Sequence, residues 1–214
     1  MDPFKVTEQS LAENEGLATL TQWLEEKGIP LEEWGHSGKK DVADLLKEIE
    51  DGETQLFYDE ETKQVVRLVS PIATRIFYVD EVTGEKLELI EAVQVFAIDQ
   101  SERRRKLEGA VAEKGKIGEN PADSVARGIL EELGKEIDPS KIHFVKKVER
   151  TDNTGQSYPG IISTYSTTVF ETEFDEEQFV PNNKVVALKD GDLWYAYKEE
   201  QTKKTTYFAW VAAE

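Results

Sequence analysis

Two adjacent glutamates, Glu131 and Glu132, stand near the end of the segment ENPADSVARGILEELG, with Glu119 just ahead of it and Arg127 four residues before Glu131. Carboxylates spaced this way can converge on one hard cation, because Mg²⁺ and Mn²⁺ take oxygen ligands and Mg²⁺ leaves room for waters and a substrate's phosphates. A cation held there would bridge a diphosphate and activate water for attack at phosphorus. Taken alone, a Glu-Glu pair is more simply a solvated helix face, so the surrounding pattern has to decide. Asn120 suits a helix N-cap, Pro121 the first helical position, and Asp123 the positive end of the helix dipole. Gly134 suits a left-handed stop. The spacing predicts a helix over about 121–133, with Val125, Ala126, Ile129, Leu130 and Leu133 as an apolar stripe and Arg127, Glu131 and Glu132 on the other side.

Residues 119–134 resemble the box of Nudix hydrolases. That pattern runs Gly, five residues, Glu, seven residues, then Arg-Glu-aliphatic-any-Glu-Glu-any-Gly-aliphatic. Here Glu119 is followed by seven residues and Arg127, and Ile129, Glu131, Glu132 and Gly134 fill their positions. Gly118 matches the Gly-Glu pair that often precedes the helix. The departures are as specific: Glu113 stands where the box opens with glycine, Gly128 where it has its first glutamate, and Lys135 at the final aliphatic position.

The resemblance implies a divalent-metal-dependent hydrolase of a nucleoside diphosphate linked to another moiety, with Mg²⁺ or Mn²⁺ as cofactor. In that reading Glu132, Glu131, Arg127 and Glu119 are the catalytic set. Glu131 and Glu132 bind the metal, Arg127 orients them, and Glu119 supports the site or the attacking water. Two routes could replace the carboxylate missing at Gly128: Glu113 as a third metal ligand, or one of Glu171, Glu173 and Glu176 from elsewhere. The other reading is a catalytically degenerate Nudix-like domain that binds a nucleotide or a protein partner.

Arg103, Arg104 and Arg105, followed by Lys106, form a basic run in an acidic chain. Guanidinium groups suit bidentate phosphate contacts, so the three are candidate phosphate-binding residues; a solvated turn offsetting nearby acids is the competing reading. His36 and His143 lack partners that would make them ligands. Trp23, Trp34, Trp194 and Trp210 are expected in the core or an interface, with Tyr158 or Trp194 able to stack on a base.

The elements that must position these groups follow from periodicity. Residues 10–50 read as two helices: one capped at Ser10 with Leu11, Leu17, Leu20 and Leu24 on or near one face, and one with Val42, Leu45, Leu46 and Ile49 at helical spacing. The period then changes. Strands are expected at about 55–59, 64–70, 73–80 and 87–98, with a hairpin at Thr83–Gly84, and again at IHFVKKVER and IISTYSTTVFETEF. The last segment could hold a helix, a strand or both. Residues 1–54 are expected as an N-terminal helical extension and 55–214 as the Nudix-like domain. The fold class is α+β, a mixed-sheet α/β/α sandwich. The extension could cover the sheet, lid the site or build a homodimer interface.

Composition limits the partners. Lys and Arg number 26 against 44 Asp and Glu, a net charge of −18, so nucleic acid and anionic membranes are expected to be repelled. There is no cysteine, which excludes thiolate metal sites and thiol nucleophiles. No segment reads as a leader or a membrane span, and a cytoplasmic location with a small nucleotide-type substrate is expected.

Overall fold

The computed structural model describes residues 2–3, 13–36, 39–115 and 118–213. Its secondary structure is mixed: helices α1 (Glu13–Glu26), α2 (Val42–Glu50) and α3 (Pro121–Leu133) accompany thirteen strands among the described residues. The expected cap at Ser10 and the expected apolar Leu11 lie outside the described residues. The α+β class is as expected, with both parallel and antiparallel pairs in the sheet. No helix among the described residues is long and apolar enough to cross a membrane.

The chain divides into two compact units. The first comprises Met1–Pro71, Lys114–Gly118 and Val148–Thr167. In it β2 (Thr54–Asp59) pairs antiparallel with β3 (Gln64–Val69), as the sequence pattern predicts, and β3 pairs parallel with the opening residues Ile161–Tyr165 of β9 (Ile161–Phe174). The short β1 (Asp2–Pro3) adds to β2. Leu20, Leu24, Leu45 and Leu46 from the two helices bury against Leu56, Val65, Tyr158 and Ile161. Asp41 opens α2 with a reciprocal capping box to Asp44, which satisfies otherwise orphaned N–H groups. Beneath this core sits Glu48, 4% exposed, held by Arg67 at 2.5 Å, Lys40 at 2.5 Å and Lys114 at 3.0 Å. Burial works against its charge, but those three cations outweigh it and hold its pKa down at about 2.

The second unit comprises Ile72–Glu113, Glu119–Lys147 and Thr168–Glu214. Its centre is β4 (Pro71–Val79), parallel to the closing half of β9 and antiparallel to β5 (Lys86–Phe96). β5 pairs with β13 (Lys204–Ala212), and β13 with β12 (Tyr197–Glu200). The last segment is therefore a strand hairpin and holds no helix. α3 lays Val125, Ile129 and Leu133 on a core with Ile76, Leu89, Phe174, Phe208 and Trp210. β6 (Glu102–Arg103) pairs with β5, and β7 (Val111–Lys114) with β4. At the entrance to β7, Gly109 passes so close to Thr74 that a Cβ there would meet its backbone at 2.5 Å. β8 (His143–Asp152) pairs with β9, and β10 (Lys184–Leu188) forms a separate hairpin with β11 (Gly191–Tyr195). That hairpin leaves Trp194 57% exposed, so this tryptophan is outside any core, whereas Trp34 and Trp210 are buried.

Candidate functional site

α3 forms as its sequence requires. The Asn120 side chain accepts the Ala122 N–H at 3.1 Å, Pro121 opens the helix, and Gly134 closes it at φ 66° with its N–H on the Leu130 carbonyl. Its buried face differs from the expected stripe. Ser124, Val125, Gly128, Ile129 and Leu133 are buried, while Leu130 is 49% exposed. The helix is thus rolled so that the Gly128 position, and Glu132 one turn on, face the protein interior.

Gly128 is where β7 approaches the helix. A Cβ on residue 128 would lie 2.5 Å from Glu113 Cγ and 3.1 Å from Val111 Cγ1. The Glu113 side chain therefore occupies the space that a side chain at 128 would need. Arg127, beside this notch, donates to Glu113 at 3.2 Å and to Glu119 at 3.3 and 3.4 Å, and stands 3.9 Å from Glu131. One guanidinium so gathers Glu113, Glu119 and Glu131. Glu131 is exposed, and Glu132 points inward.

Glu113, Glu131 and Glu132 line one cavity of about 290 Å³ with Glu91, Gln94, Arg105, Glu199, Gln201, Lys204 and Thr206. The strand ladder explains the far wall. Gln94 on β5 sits opposite Thr206 on β13, which sits opposite Glu199 on β12, so three side chains form a row across three strands. Glu91 is three residues from Gln94 and would face the other way in a regular strand. The register shift between Tyr207 and Phe208 leaves Ala92 as an extra residue, and this bulge turns Glu91 onto the same face. Gln94 Nε2 donates to Glu91 at 3.1 Å.

Burial raises the Glu132 pKa first, and the charges of Glu199, Glu113 and Glu91 raise it further; against a backbone N–H from Ala112, it is pushed up to about 8. The site is thus an anionic cavity short of positive charge. Arg105 does not answer that shortage, since both its Nε, at 2.9 Å, and an Nη are committed to Glu91. Of the other two expected phosphate binders, Arg103 is turned onto Gln94 Oε1 at 3.1 and 2.5 Å, and Arg104 onto the Ala92 carbonyl and Glu102. Only Arg105 of the three reaches the cavity wall.

Glu171, Glu173 and Glu176 line a different, larger cavity of about 620 Å³ with Lys86, Lys141 and His143. None of them is on the wall that carries Glu132. Among the described residues, no three Asp, Glu or His side chains are drawn together tightly enough to ligate one ion as they stand. Glu91, Glu199 and Lys204 were missed from the sequence. Only the ladder and the bulge bring them to the box helix, and neither has a local signal.

No family model matches the chain, and no curated protein matches it in sequence. Solved structures do show likeness. A MutT/nudix family protein from Enterococcus faecalis is 12% identical, with 94% of this chain and 61% of that one covered at TM-score 0.35. The T. brucei MERS1–RNA complex is 12% identical, with 67% and 45% covered at 0.35. A C. elegans Ap4A hydrolase binary complex is 8% identical, with 67% and 79% covered at 0.31. The chain thus spans about half the length of the MERS1 chain and three-fifths of the Enterococcus one. Overlaps this loose carry no weight for chemistry, which rests on the cavity's own residues.

Proposed function

We propose that the cavity walled by α3, β5, β7 and β12–β13 is the site of a divalent-cation-dependent hydrolase acting on the phosphoanhydride of a nucleoside diphosphate linked to another moiety. The observation that carries this reading is the delivery of Glu131 and Glu132, in their box spacing, to a cavity whose other walls add further carboxylates. The donor set fits Mg²⁺ or Mn²⁺: it is all carboxylate oxygen, with no thiolate in the chain and neither histidine on the wall. Glu131 and Glu132 would hold the ion. Bound there, it would offset the diphosphate's charge and lower the pKa of an attacking water. Arg127 and Glu119 do not line the cavity; in this reading Arg127 would orient Glu131 from behind it, and Glu119 would support the site through its pairing with Arg127. Lys204 gives the wall a cation for a phosphate oxygen. The lack of a preformed three-ligand cluster among the described residues favours the second reading, a domain that binds a nucleotide without turning it over.

The test is turnover of nucleotide sugars, dinucleoside polyphosphates and NADH with Mg²⁺ or Mn²⁺, followed by chromatography of the products. Wild type is expected to cleave at least one class about a hundredfold faster than Glu132→Gln, the scale on which removing one electrostatic group slows catalysis. Equal rates for the two proteins on every compound would end the hydrolase reading. Ligand-induced thermal stabilisation without turnover would establish the binding module instead.

A further inference from the structure

We propose that the cavity between β5 and the loop 105–109, next to the carboxylate cavity, is the nucleobase subsite of the nucleotide whose diphosphate the carboxylate cavity would hold. The inference deepens the hydrolase reading and rests on it for the position of the diphosphate.

The carboxylate cavity gives a base little to lie on, since Ala110 and Ala112 are the only apolar residues on its wall. A second cavity, of about 310 Å³, shares Arg105 and Glu91 with it and differs in character. The β4–β5 ladder ends at the Ile76–Leu89 pair, and the loop 105–109 forms the wall across from β5. Leu89, Ile90 and Leu107 give this cavity an aliphatic lining. Gly109 adds only backbone, because a Cβ there would meet Thr74. Ile90 stays 38% exposed, and covering its carbon with a flat ring would be favourable. A hydroxyl-rich moiety would lose its water against such walls without gaining partners, whereas a base offers apolar faces and a polar edge.

Arg105 suits the same occupant. Its Nε, at 2.9 Å, and an Nη are both fixed on Glu91, so its charge is met and its plane is set. A guanidinium held by its edge keeps its faces for stacking on an aromatic ring. Arg105, expected from the sequence to grip phosphate, is thereby assigned to the base. Lys106, on the same wall, has no ion pair or hydrogen bond among the described residues, and its ammonium is available to a ring carbonyl or ring nitrogen.

The experiment is calorimetric binding of ADP, GDP, CDP and UDP to the full-length protein with Mg²⁺, with inorganic pyrophosphate as the base-free control and thermal unfolding as the check on folding. Ile90→Gln, at a position open to solvent, replaces aliphatic carbon by a neutral polar chain. Arg105→Lys keeps the charge and removes the flat face. Each is expected to weaken the best-bound nucleotide by about tenfold and to leave pyrophosphate within about twofold, the scale of one lost stacking contact. Nucleotide binding that is equal in wild type and both variants overturns the inference. So does a wild type that binds pyrophosphate as tightly as every nucleotide. A KM that rises in the variants for nucleotide sugars, while the four diphosphates bind as before, would place the other moiety here and overturn it too. The hydrolase reading fails separately. Nucleotide binding that follows Ile90 and Arg105, in a protein that cleaves none of the compounds, ends the hydrolase and keeps the inference. Turnover that falls with Glu132→Gln and ignores both variants keeps the hydrolase and ends the inference.

Discussion

At the scale of single residues, Arg127 is the side chain on which the site's geometry hangs. Its guanidinium reaches Glu113 and Glu119 within hydrogen-bond distance and stands near Glu131, so one planar fork sets the relative placement of three acids. A lysine has a single point charge and cannot hold that arrangement. Arg127→Lys is accordingly expected to lower kcat of the proposed hydrolase by about tenfold to a hundredfold with a smaller change in KM, since misplacing catalytic groups by even an ångström has costs of that order. Thermal stability should change little, because the fork is partly solvated and such pairs contribute about 0–1 kcal/mol. A drop in stability matching the drop in kcat would assign Arg127 to the fold instead. The basic run at 103–105 teaches the opposite lesson at the same scale. Arg103 and Arg105 are spent on Gln94 and Glu91, side chains of the far wall.

At the scale of elements, the notch between α3 and β7 reverses an ordinary rule. Glycine to alanine inside a helix should stabilise by about 1 kcal/mol on propensity alone. Gly128→Ala is expected to destabilise by roughly 1–3 kcal/mol, because the new methyl overpacks against Glu113 Cγ and Val111 Cγ1. In a Glu113→Gly background the clash is largely removed and the sign should return toward stabilisation. Urea unfolding of the two pairs of proteins measures it, and a stabilising Gly128→Ala in the wild-type background would refute the notch. The helix itself was legible from sequence to the residue, because cap, proline, dipole acid and glycine stop are all local chemistry. So were β2 to β5, whose alternating and β-branched runs are long enough to stand out. The four-residue β7 was not, since so short a strand carries little period, and the segment that forms the β12–β13 hairpin was left open between helix and strand. The roll of α3 was also hidden: Gly128 is buried and Leu130 exposed, the reverse of what hydropathy assigns them.

At the scale of the whole molecule, a buried carboxylate, Glu48, and a half-buried one, Glu132, pull the pH dependence of stability in opposite directions. Glu48, in the first unit, has its pKa held down to about 2 by Arg67, Lys40 and Lys114 against its burial. Its folded value lies below its unfolded value of about 4.5, so its contribution is present above that pH and is lost as pH falls toward 2. Glu132, in the second unit, is raised to about 8 by burial and by Glu199 and Glu113. Its folded value lies above the unfolded one, so its contribution is present below about 4.5 and drains away as pH rises to 8. The net charge of −18 adds self-repulsion over the same rising range. In EDTA, stability is therefore expected to peak near pH 5 and to fall by roughly 2–5 kcal/mol by pH 8, since each tenfold change in a group's proton affinity is worth about 1.4 kcal/mol. The two causes are separable. Glu132→Gln removes the buried titration and should flatten most of the slope, whereas 0.5 M NaCl screens only the exposed charges and should lift wild type and Glu132→Gln alike. Parallel curves for the two proteins across pH 5–8 would show that Glu132 is not the group that titrates. Adding Mn²⁺ should restore stability at pH 8 to wild type and not to Glu132→Gln, because an ion that binds only the folded state stabilises it by mass action, and the carboxylate that favours the ion is the one that strains the empty cavity.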